Sequence, residues 1–454
     1  MNLRLSEMAS ALNAEMRGED VIVSAVDSDS RKLAPGSLFV ALQGERFDGH
    51  AFLSAAQGSG AAAALVSRWV EDSALPQLKV ADTLAGLQQL AAWWRQRFSL
   101  PVIGLTGSNG KTTSKQMLAA IFATRGPVLA TQGNLNNHIG VPLTLLCLRA
   151  QHRTAVIEMG ANHLREIALL TGIVQPDVGL VTQAGDAHLE GFGSREGVAR
   201  GKGELYEGLR VGACAIINAD DAYAPLWRQF AAHTHISSFG MSPAAEVRGS
   251  DIRSLDNGSQ RFRLHCAQGD VDVSLPLPGR HNVMNALGAA ACALAVGLSP
   301  QEIAAGLAQL QPPPGRVSRQ RTPQNALLID DSYNANPSSL RAGMELLALQ
   351  PRRKLLALGN MAELGVDAER LHREAGALAR ALGIDKLYAL GDLAGLAADA
   401  FGSGGLRFDT AEALAAALAA DLNPNDTVLV KGSRSARMER VVAALLGTAP
   451  GAQH

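Results

Sequence analysis

The sequence predicts an α/β protein of several domains, with parallel sheets at its centre and at its C-terminal end, and three observations carry that reading. The chain has 454 residues, too many for one ordinary core, so about three domains follow at ~150 residues each. A short apolar run, Pro101-Val102-Ile103-Gly104-Leu105, leads through a small polar loop into a helical stretch from Ser114 to Thr124 that places Met117, Leu118, Ile121 and Phe122 on one face. Beyond residue 315, apolar strands alternate with helical stretches, the pattern of a doubly wound sheet.

The loop between that first strand and helix is Gly107-Ser108-Asn109-Gly110-Lys111-Thr112-Thr113. Its glycines let backbone N–H groups approach phosphate oxygens, and the helix N-terminus adds partial positive charge. Lys111, expected in a solvent-facing loop, has the reach for β/γ phosphates, and the Thr112 hydroxyl suits Mg²⁺. The general pattern G-x-x-x-x-G-K-[ST] wants glycine at 105, where this chain has Leu105 between Gly104 and Gly107. The competing reading is a tight turn with a helix cap; the strand before the loop and the helix after it favour phosphate.

Composition bounds the rest. Hydrophobic residues make up 47% and charged residues 18%, which describes a globular chain able to bury a large core. With a formal net charge of −1 and 4% aromatics, the chain has neither the basic footprint nor the stacking rings of a nucleic-acid binder. Cys147, Cys214, Cys266 and Cys292 form no C-x-x-C pair, so reduced, buried thiols and a cytoplasmic address are expected. Met1 to Ser10 carries Arg4 and Glu7 without an apolar core and does not read as a signal peptide. The longest apolar run, Ala286 to Leu298, falls short of the ~20 residues a bilayer needs, so no membrane span is expected and a tightly packed internal helix is.

Residues 1–98 read as a small α/β unit around the strand Ser37-Leu38-Phe39-Val40-Ala41-Leu42, launched from Pro35-Gly36. The loops on either side, Ser28-Asp29-Ser30-Arg31 and Gln43-Gly44-Glu45-Arg46-Phe47-Asp48-Gly49-His50, offer hydroxyls, arginines and a histidine. Such a set suits a nucleotide diphosphate, but taken alone the loop composition favours turns with solvated charges.

Past the loop helix, Val128 to Ala130 is a short strand, followed by Gly133-Asn134-Leu135-Asn136-Asn137. Asparagine tolerates left-handed backbone and both donates and accepts, so turn formation explains part of this run and ligand contact the rest. Thr154-Ala155-Val156-Ile157-Glu158 is a buried parallel strand ending in a carboxylate, where a P-loop protein places a metal-binding acid. Val178 to Thr182 is another strand, leading to Ala187-His188-Leu189-Glu190-Gly191, just past a strand's carboxyl end where α/β sheets hold ligands. Gly201-Lys202-Gly203 is expected to start a helix, and on composition alone Lys202 is a surface lysine.

Residues 245–275 alternate in period two and predict antiparallel hairpin strands. Pro278-Gly279-Arg280-His281-Asn282 opens the alanine-rich helix, and Pro312-Pro313-Pro314-Gly315-Arg316 marks a linker and the second boundary. Strands then follow at 327–331, 355–359, 387–391 and 427–432, and Asn336-Pro337 is a well-formed helix start.

In order along nearly the whole chain, Thr106 to Thr112, Gly133 to Asn137, Ala187 to Gly191, Pro278 to Asn282, Asp330-Asp331-Ser332-Tyr333-Asn334-Ala335-Asn336-Pro337, Met361-Ala362-Glu363-Leu364-Gly365 and Lys431-Gly432-Ser433-Arg434-Ser435 resemble the Mur ligase family. The resemblance implies three domains: a small N-terminal α/β domain for the UDP end of the substrate at 1–98, a central P-loop ATPase-like domain with a parallel sheet at 99–314, and a C-terminal Rossmann-like domain at 315–454. The last would close over ATP and bind an incoming dipeptide. The implied reaction belongs to peptidoglycan precursor synthesis. The tripeptide carboxylate of a UDP-N-acetylmuramoyl-tripeptide takes the γ-phosphoryl of ATP to give an acyl phosphate; the amine of D-alanyl-D-alanine then attacks, and ADP and phosphate leave. A monomer is expected.

By the same resemblance, Gly107, Ser108, Asn109, Gly110, Lys111, Thr112 and Thr113 cradle the ATP phosphates. Thr112 and Glu158 hold one Mg²⁺, while His188 and a carbamylated Lys202 serve a second. Asn282 packs on adenine, Arg316 reaches the phosphates and Asp331 meets the ribose. Ser30, Arg31, Asp48 and His50, with Asn134 and Asn137, bind the UDP-peptide. Two departures stand out: Gly359-Asn360 where the family usually has Gly-Asp, and Thr182-Gln183 where it more often has Thr-Asn. Rival readings are a sister ligase adding another amino acid, a folate-type glutamate ligase, and a P-loop motor or switch that turns over ATP without an acyl acceptor.

Overall fold

The computed structural model describes residues 1–45, 47–255, 258–311 and 315–448. Arg46 of the first-domain loop and Pro312-Pro313-Pro314 of the linker lie outside the described residues. Three main sheets follow one another along the chain. The first orders its strands β1 (Glu15–Arg17), β5 (Gln77–Lys79), β4 (Ala63–Val66), β3 (Ser37–Val40) and β2 (Ala25–Asp27), parallel except for the β1–β5 pair. Ala41 and Leu42 leave the strand expected at 37–42 and turn into the loop that carries Asp48. Helix α1 (Thr83–Arg95) starts where Asp82 accepts from the amides of Leu84 and Ala85, and carries the chain to the second sheet.

The central sheet has nine strands. In chain order they are β6 (Val102–Thr106), β7 (Val128–Ala130), β8 (Thr154–Glu158), β9 (Val178–Val181), β10 (Cys214–Asn218), β11 (His235–Gly240), β12 (Val247–Ser254), β13 (Gln260–Cys266) and β14 (Gly269–Leu275). Their spatial order is β7-β8-β6-β9-β10-β11-β12-β13-β14, parallel as far as β12. The strands β6, β8 and β9 are buried throughout, and apolar but for Thr106, Thr154 and Glu158 at strand ends, because helices cover both faces. Antiparallel β12–β14 is the meander expected from the period-two stretch; it continues the same sheet. Helices α2 (Lys111–Ala123), α3 (Gly140–Leu146), α4 (Glu166–Val174), α5 (Arg195–Glu207) and α6 (Arg280–Ala295) accompany it. Strand β6 lies between β8 and β9, so the loops after these three strands meet at a topological switch point, the place where open α/β sheets bind ligands.

The third sheet runs β15 (Ser318–Arg321), β16 (Leu327–Asp331), β20 (Thr427–Lys431), β17 (Lys354–Gly359), β18 (Lys386–Leu390) and β19 (Gly405–Phe408). Only the β15–β16 pair is antiparallel. Strands β15 and β19 are additional to the four read from sequence; both are edge strands of mixed polarity, Ser-Arg-Gln-Arg and Gly-Leu-Arg-Phe, with no apolar run to reveal them. Helix α7 (Pro337–Ala348) starts at Asn336 as expected, with its side chain accepting from the Ser339 amide at 2.9 Å. Helix α8 (Asp392–Phe401) follows β18.

Burial divides the molecule differently from the sheets. One cluster of buried side chains runs from Leu3 through Trp94 and Val102 to Ala231, so the first sheet shares its core with one face of the central sheet. The Trp94 indole donates to Leu148 O at 3.2 Å and Gln88 to His138 O at 3.0 Å across that boundary. The third sheet has its own clusters, one on each face. The four cysteines are free; only Cys292 is buried and Cys147 is exposed, which corrects the expectation of buried thiols. Among the described residues no helix is long and apolar enough to cross a membrane.

Candidate active site

A cavity of about 620 Å³ opens between the carboxyl ends of the central strands and the facing end of the third sheet. Ser108, Asn109, Gly110, Lys111, Thr112 and Thr113 line one wall. Two glycines shape the loop: Gly107 at φ +144° has the Thr182 hydroxyl 1.9 Å from where a Cβ would stand, and Gly110 at φ +82° has Asn285 Oδ1 at 2.3 Å. A side chain at either position would break the turn. Lys111 is the first residue of α2, three residues earlier than the expected start at Ser114, and is half-buried on the cavity wall instead of standing free in solvent. Its ammonium donates to Gly107 O at 2.6 Å. Burial lowers its pKa, and Glu158 opposes the shift.

Glu158 ends β8 with 2% of its side chain exposed. Its Oε1 accepts from Asn136 Nδ2 at 3.0 Å and from the Thr112 hydroxyl at 3.3 Å, while Oε2 is buried and accepts no hydrogen bond. Burial alone would raise its pKa, but Lys115, Lys111 and the Asn136 bond outweigh it and the net shift is downward. An ionised carboxylate with one oxygen that accepts no hydrogen bond, beside a threonine hydroxyl, is a hard-oxygen donor pair that fits Mg²⁺. Among the described residues no group of three or more His, Cys, Asp or Glu that could hold a metal ion is present.

The second expected cluster is only partly assembled. His188 lines the cavity, and its Nδ1 pairs with the carboxylate of Glu363 from the third sheet's side. That bond holds the Glu363 carboxyl below its usual range. Glu363 sits at φ +61° and its carbonyl accepts from the Glu190 amide at 3.4 Å, so the Met361–Gly365 string docks on the His188 loop. Lys202 is fully buried, which overturns the surface-lysine reading from composition. Its helix begins at Arg195, with the Ser194 hydroxyl accepting from the Gly197 amide at 3.0 Å, so Gly201-Lys202-Gly203 is mid-helix and not a start. The glycine at 201 is needed there because a Cβ would stand 2.3 Å from the Phe192 ring. Lys202 Nζ donates to Ala161 O at 2.8 Å and lies 5.0 Å from the centre of the Phe192 ring, immediately behind cavity residue Ala161 and not itself on the wall. Burial, reinforced by Lys111, pushes its pKa well below the usual lysine value.

The third sheet supplies the opposite wall. Arg316 donates to the Thr112 hydroxyl at 3.1 Å and stacks its guanidinium 4.2 Å over Tyr333. Asp331 accepts from buried Lys431 at 2.5 Å, and Lys431 also donates to Asn334 O at 2.9 Å. Asn336 and Asn109 exchange side-chain bonds at 2.7 and 3.3 Å, and Ser338 donates to Asp186 at 3.1 Å. These contacts bring the third sheet down onto the phosphate loop. Asn282 is buried on the cavity wall with its amide fixed at both ends, donating to Pro278 O and accepting from Asn285.

Of the remaining expected residues, Asn134 and Asn137 line the cavity, Asn137 Oδ1 also accepting from the amides of Ile139 and Gly140. The first-domain set lies away from it. Arg31 is occupied by Asp29 through two bonds, at 2.8 and 2.9 Å. His50 is buried, bonded to Asp48 and to the Ser67 amide, and Asp48 also pairs with Arg68. Asp48 and His50 therefore brace one another, and Ser30 and Arg31 stay at the surface of their loop. Sequence reading passed over Asn136, Glu363, Lys431 and Lys115. The first three stand inside strings already noted without being given a task. Lys115 had a signal of its own: four residues after Lys111 on a helix, it shares that residue's face.

The comparisons with known proteins agree along the chain. The Mur ligase family, catalytic domain model matches residues 22–92, the Mur ligase middle domain 105–293, and the Mur ligase, glutamate ligase domain 315–434. The chain is 45% identical over 448 residues to the UDP-N-acetylmuramoyl-tripeptide–D-alanyl-D-alanine ligase of Escherichia coli strain K12, covering 98% of each, and 35% identical over 457 residues to that of Bacillus subtilis strain 168, covering 97% of each. Among solved structures, MurF from Acinetobacter baumannii superposes with a TM-score of 0.92 at 37% identity over 99% of both chains. The MurF ligase from Thermotoga maritima in complex with ADP gives 0.82 at 29% identity, over 94% of this chain and 97% of that one.

Proposed function

The chain belongs to the Mur ligase family, and from that premise we infer that it is an ATP-dependent UDP-N-acetylmuramoyl-tripeptide:D-alanyl-D-alanine ligase of peptidoglycan precursor synthesis. It phosphorylates the tripeptide carboxylate and then forms the amide with the dipeptide's amine, releasing ADP and phosphate. The observation that carries this reading is the single cavity walled by the phosphate loop, the buried Glu158 and the third sheet's Arg316 and Asp331.

The residues take these parts. The amides of Gly107 to Thr113 and the Lys111 ammonium receive the β/γ phosphates, and Arg316 adds a second cation from the facing wall. Phosphoryl transfer between crowded oxyanions is governed by positioning and charge, which is what this wall offers. Asn282 supports the adenine and Asp331 the ribose. Mg²⁺ at Thr112 and Glu158, with a second ion at His188 and a carbamylated Lys202, would supply neutralisation of the phosphate charge. Asn134 and Asn137 face the peptide end of the substrate, and the loops of Ser30, Arg31, Asp48 and His50 take its UDP end. On this reading the domains run 1–98, 99–314 and 315–454, and the enzyme is a cytoplasmic monomer.

ADP release, measured with each candidate UDP-peptide and each candidate amine, singly and together, tests the assignment. ADP should accumulate only when the UDP-tripeptide and D-alanyl-D-alanine are both present. Stronger stimulation by another amine would point to a sister ligase or a glutamate ligase, and turnover without any acyl acceptor to a motor.

The unusual Asn360 has a structural part. Its Oδ1 accepts from the Ala394 amide at 2.8 Å, in the first turn of α8. An aspartate would make the same bond with a charge that favours a helix N-terminus by ~0.3–1 kcal/mol. Asn360→Asp is therefore expected to leave kcat/KM for D-alanyl-D-alanine within about twofold and to hold or slightly raise Tm. A change of about tenfold or more in kcat/KM would mean that position 360 touches the reacting groups.

A further inference from the structure

Lys115 is a buried cation that the mechanism above leaves without a task. It lies on α2 with 4% of its side chain exposed. Its Nζ donates to Gly133 O at 3.3 Å and stands 3.3 Å from Glu158 Oε2, the oxygen that accepts no hydrogen bond. Oε1 is already held by Asn136 and Thr112. The two charges thus face one another in the interior while the lysine's hydrogen bond goes to the Gly133 carbonyl, which leaves Oε2 free for a second cation.

We propose that Lys115 is the resident counter-cation of Glu158, a positioning residue that balances the buried carboxylate when no metal is present and makes divalent-cation binding there depend on the nucleotide's phosphates. This rests on the reading of Glu158 as the metal carboxylate. A buried carboxylate without a partner is strongly destabilising, and Lys115 removes that penalty. The same ammonium leaves the pair with no net charge and repels an incoming Mg²⁺ at close range, where low local dielectric magnifies the effect. Nucleotide phosphates restore the missing negative charge, so the metal is retained only with them. Lys111 and Arg316, the other cations that act on Glu158, lie on the phosphate side of the cavity and reinforce this order of events.

Thermal unfolding of the full chain tests the proposal, with MgCl₂ alone, ADP alone and both, at ionic strength matched with NaCl. Wild type should gain nothing from Mg²⁺ alone and should gain from Mg²⁺ with ADP beyond ADP alone. Lys115→Met should unfold at lower temperature in metal-free buffer and recover with Mg²⁺ alone, at concentrations at least about tenfold below any that move wild type. Lys115→Met/Glu158→Gln should regain metal-free stability and lose the response to Mg²⁺. Equal responses of wild type and Lys115→Met to Mg²⁺ alone would overturn the proposal. Should Lys115→Met not fold, the double variant decides: a folded double variant upholds the charge pairing, and an unfolded one shows that Lys115 serves packing and overturns it. The premise is checked separately by Glu158→Gln, since wild-type ligation by that variant removes the metal reading whatever the melting curves show.

Discussion

Lys111→Ala is expected to lower the ligation rate by at least ~10²–10³ at saturating ATP, the range typical for removal of a preorganised charge donor. The residue stands at the first turn of α2 with its ammonium held on Gly107 O at 2.6 Å, on the wall that Arg316 faces from the other side. Among the described residues the other lysine on the cavity wall, Lys431, is held by Asp331 and Asn334, and Lys115 is committed to Gly133 and Glu158. Alanine is a good helix former, and burial already disfavours the lysine's charge, so Tm should stay level or rise slightly. Loss of rate with an unchanged melting curve separates a role in the reaction from one in folding. More than about a tenth of wild-type turnover would remove Lys111 from the role given to it.

Lys202→Ala is expected to be nearly inactive, by more than about 10²-fold, and to be partly rescued by acetate. Protonated, Lys202 would repel a neighbouring metal. Burial, with Lys111 nearby, pushes its pKa well below that of an ordinary lysine and so favours the neutral amine. That amine can add to CO₂, forming an N–C bond and releasing a proton, and the resulting carbamate has two hard oxygens of the kind Mg²⁺ prefers. The carbamate nitrogen keeps one hydrogen, enough to maintain the bond to Ala161 O. Lowering the pH re-protonates the amine and releases CO₂, so wild type should lose activity in CO₂-depleted buffer at mildly acid pH and recover it with bicarbonate. A lysine that only caps Ala161 O gives a different result: reduced Tm in the alanine variant and no response to acetate. Full activity of that variant without rescue would end the carbamate idea.

The sequence made the fold legible where side-chain pattern and backbone demand coincide. Buried parallel strands such as β6 and β8 are apolar on both faces and declare themselves, and so does the Asn336-Pro337 helix start. Edge strands β15 and β19 carry mixed residues and pass for loop. The place of the Gly107–Thr113 loop and of Glu158 at the cavity was readable because both stand at the carboxyl ends of apolar strands. Lys202 was misread because composition cannot show that Gly201 lets Phe192 close over the helix and seal the lysine in. Glu363 and Asn136 were missed for another reason: their partners, His188 and Glu158, lie far away along the chain, with a helix and a strand start between Asn136 and Glu158, and a single sequence does not pair them.

The shared core of the first and central sheets acts as a ruler. Trp94, Gln88 and the side chains around them lock the two sheets into one packed body, whereas the third sheet meets the phosphate loop through the Asn109–Asn336, Arg316–Thr112 and Ser338–Asp186 bonds. The span from the Arg31 and Asp48 loops to Asn137 and Lys111 is therefore set within that shared packed body, independently of the bonds the third sheet makes. On the proposed assignment of the Ser30, Arg31, Asp48 and His50 loops to the UDP end, a substrate anchored there would present its terminal carboxylate at Lys111 only if its peptide has the matching number of residues. Stem peptides one residue shorter or longer should then bind at the UDP end with little loss yet fail to be phosphorylated, a split that a binding measurement and ADP release read separately.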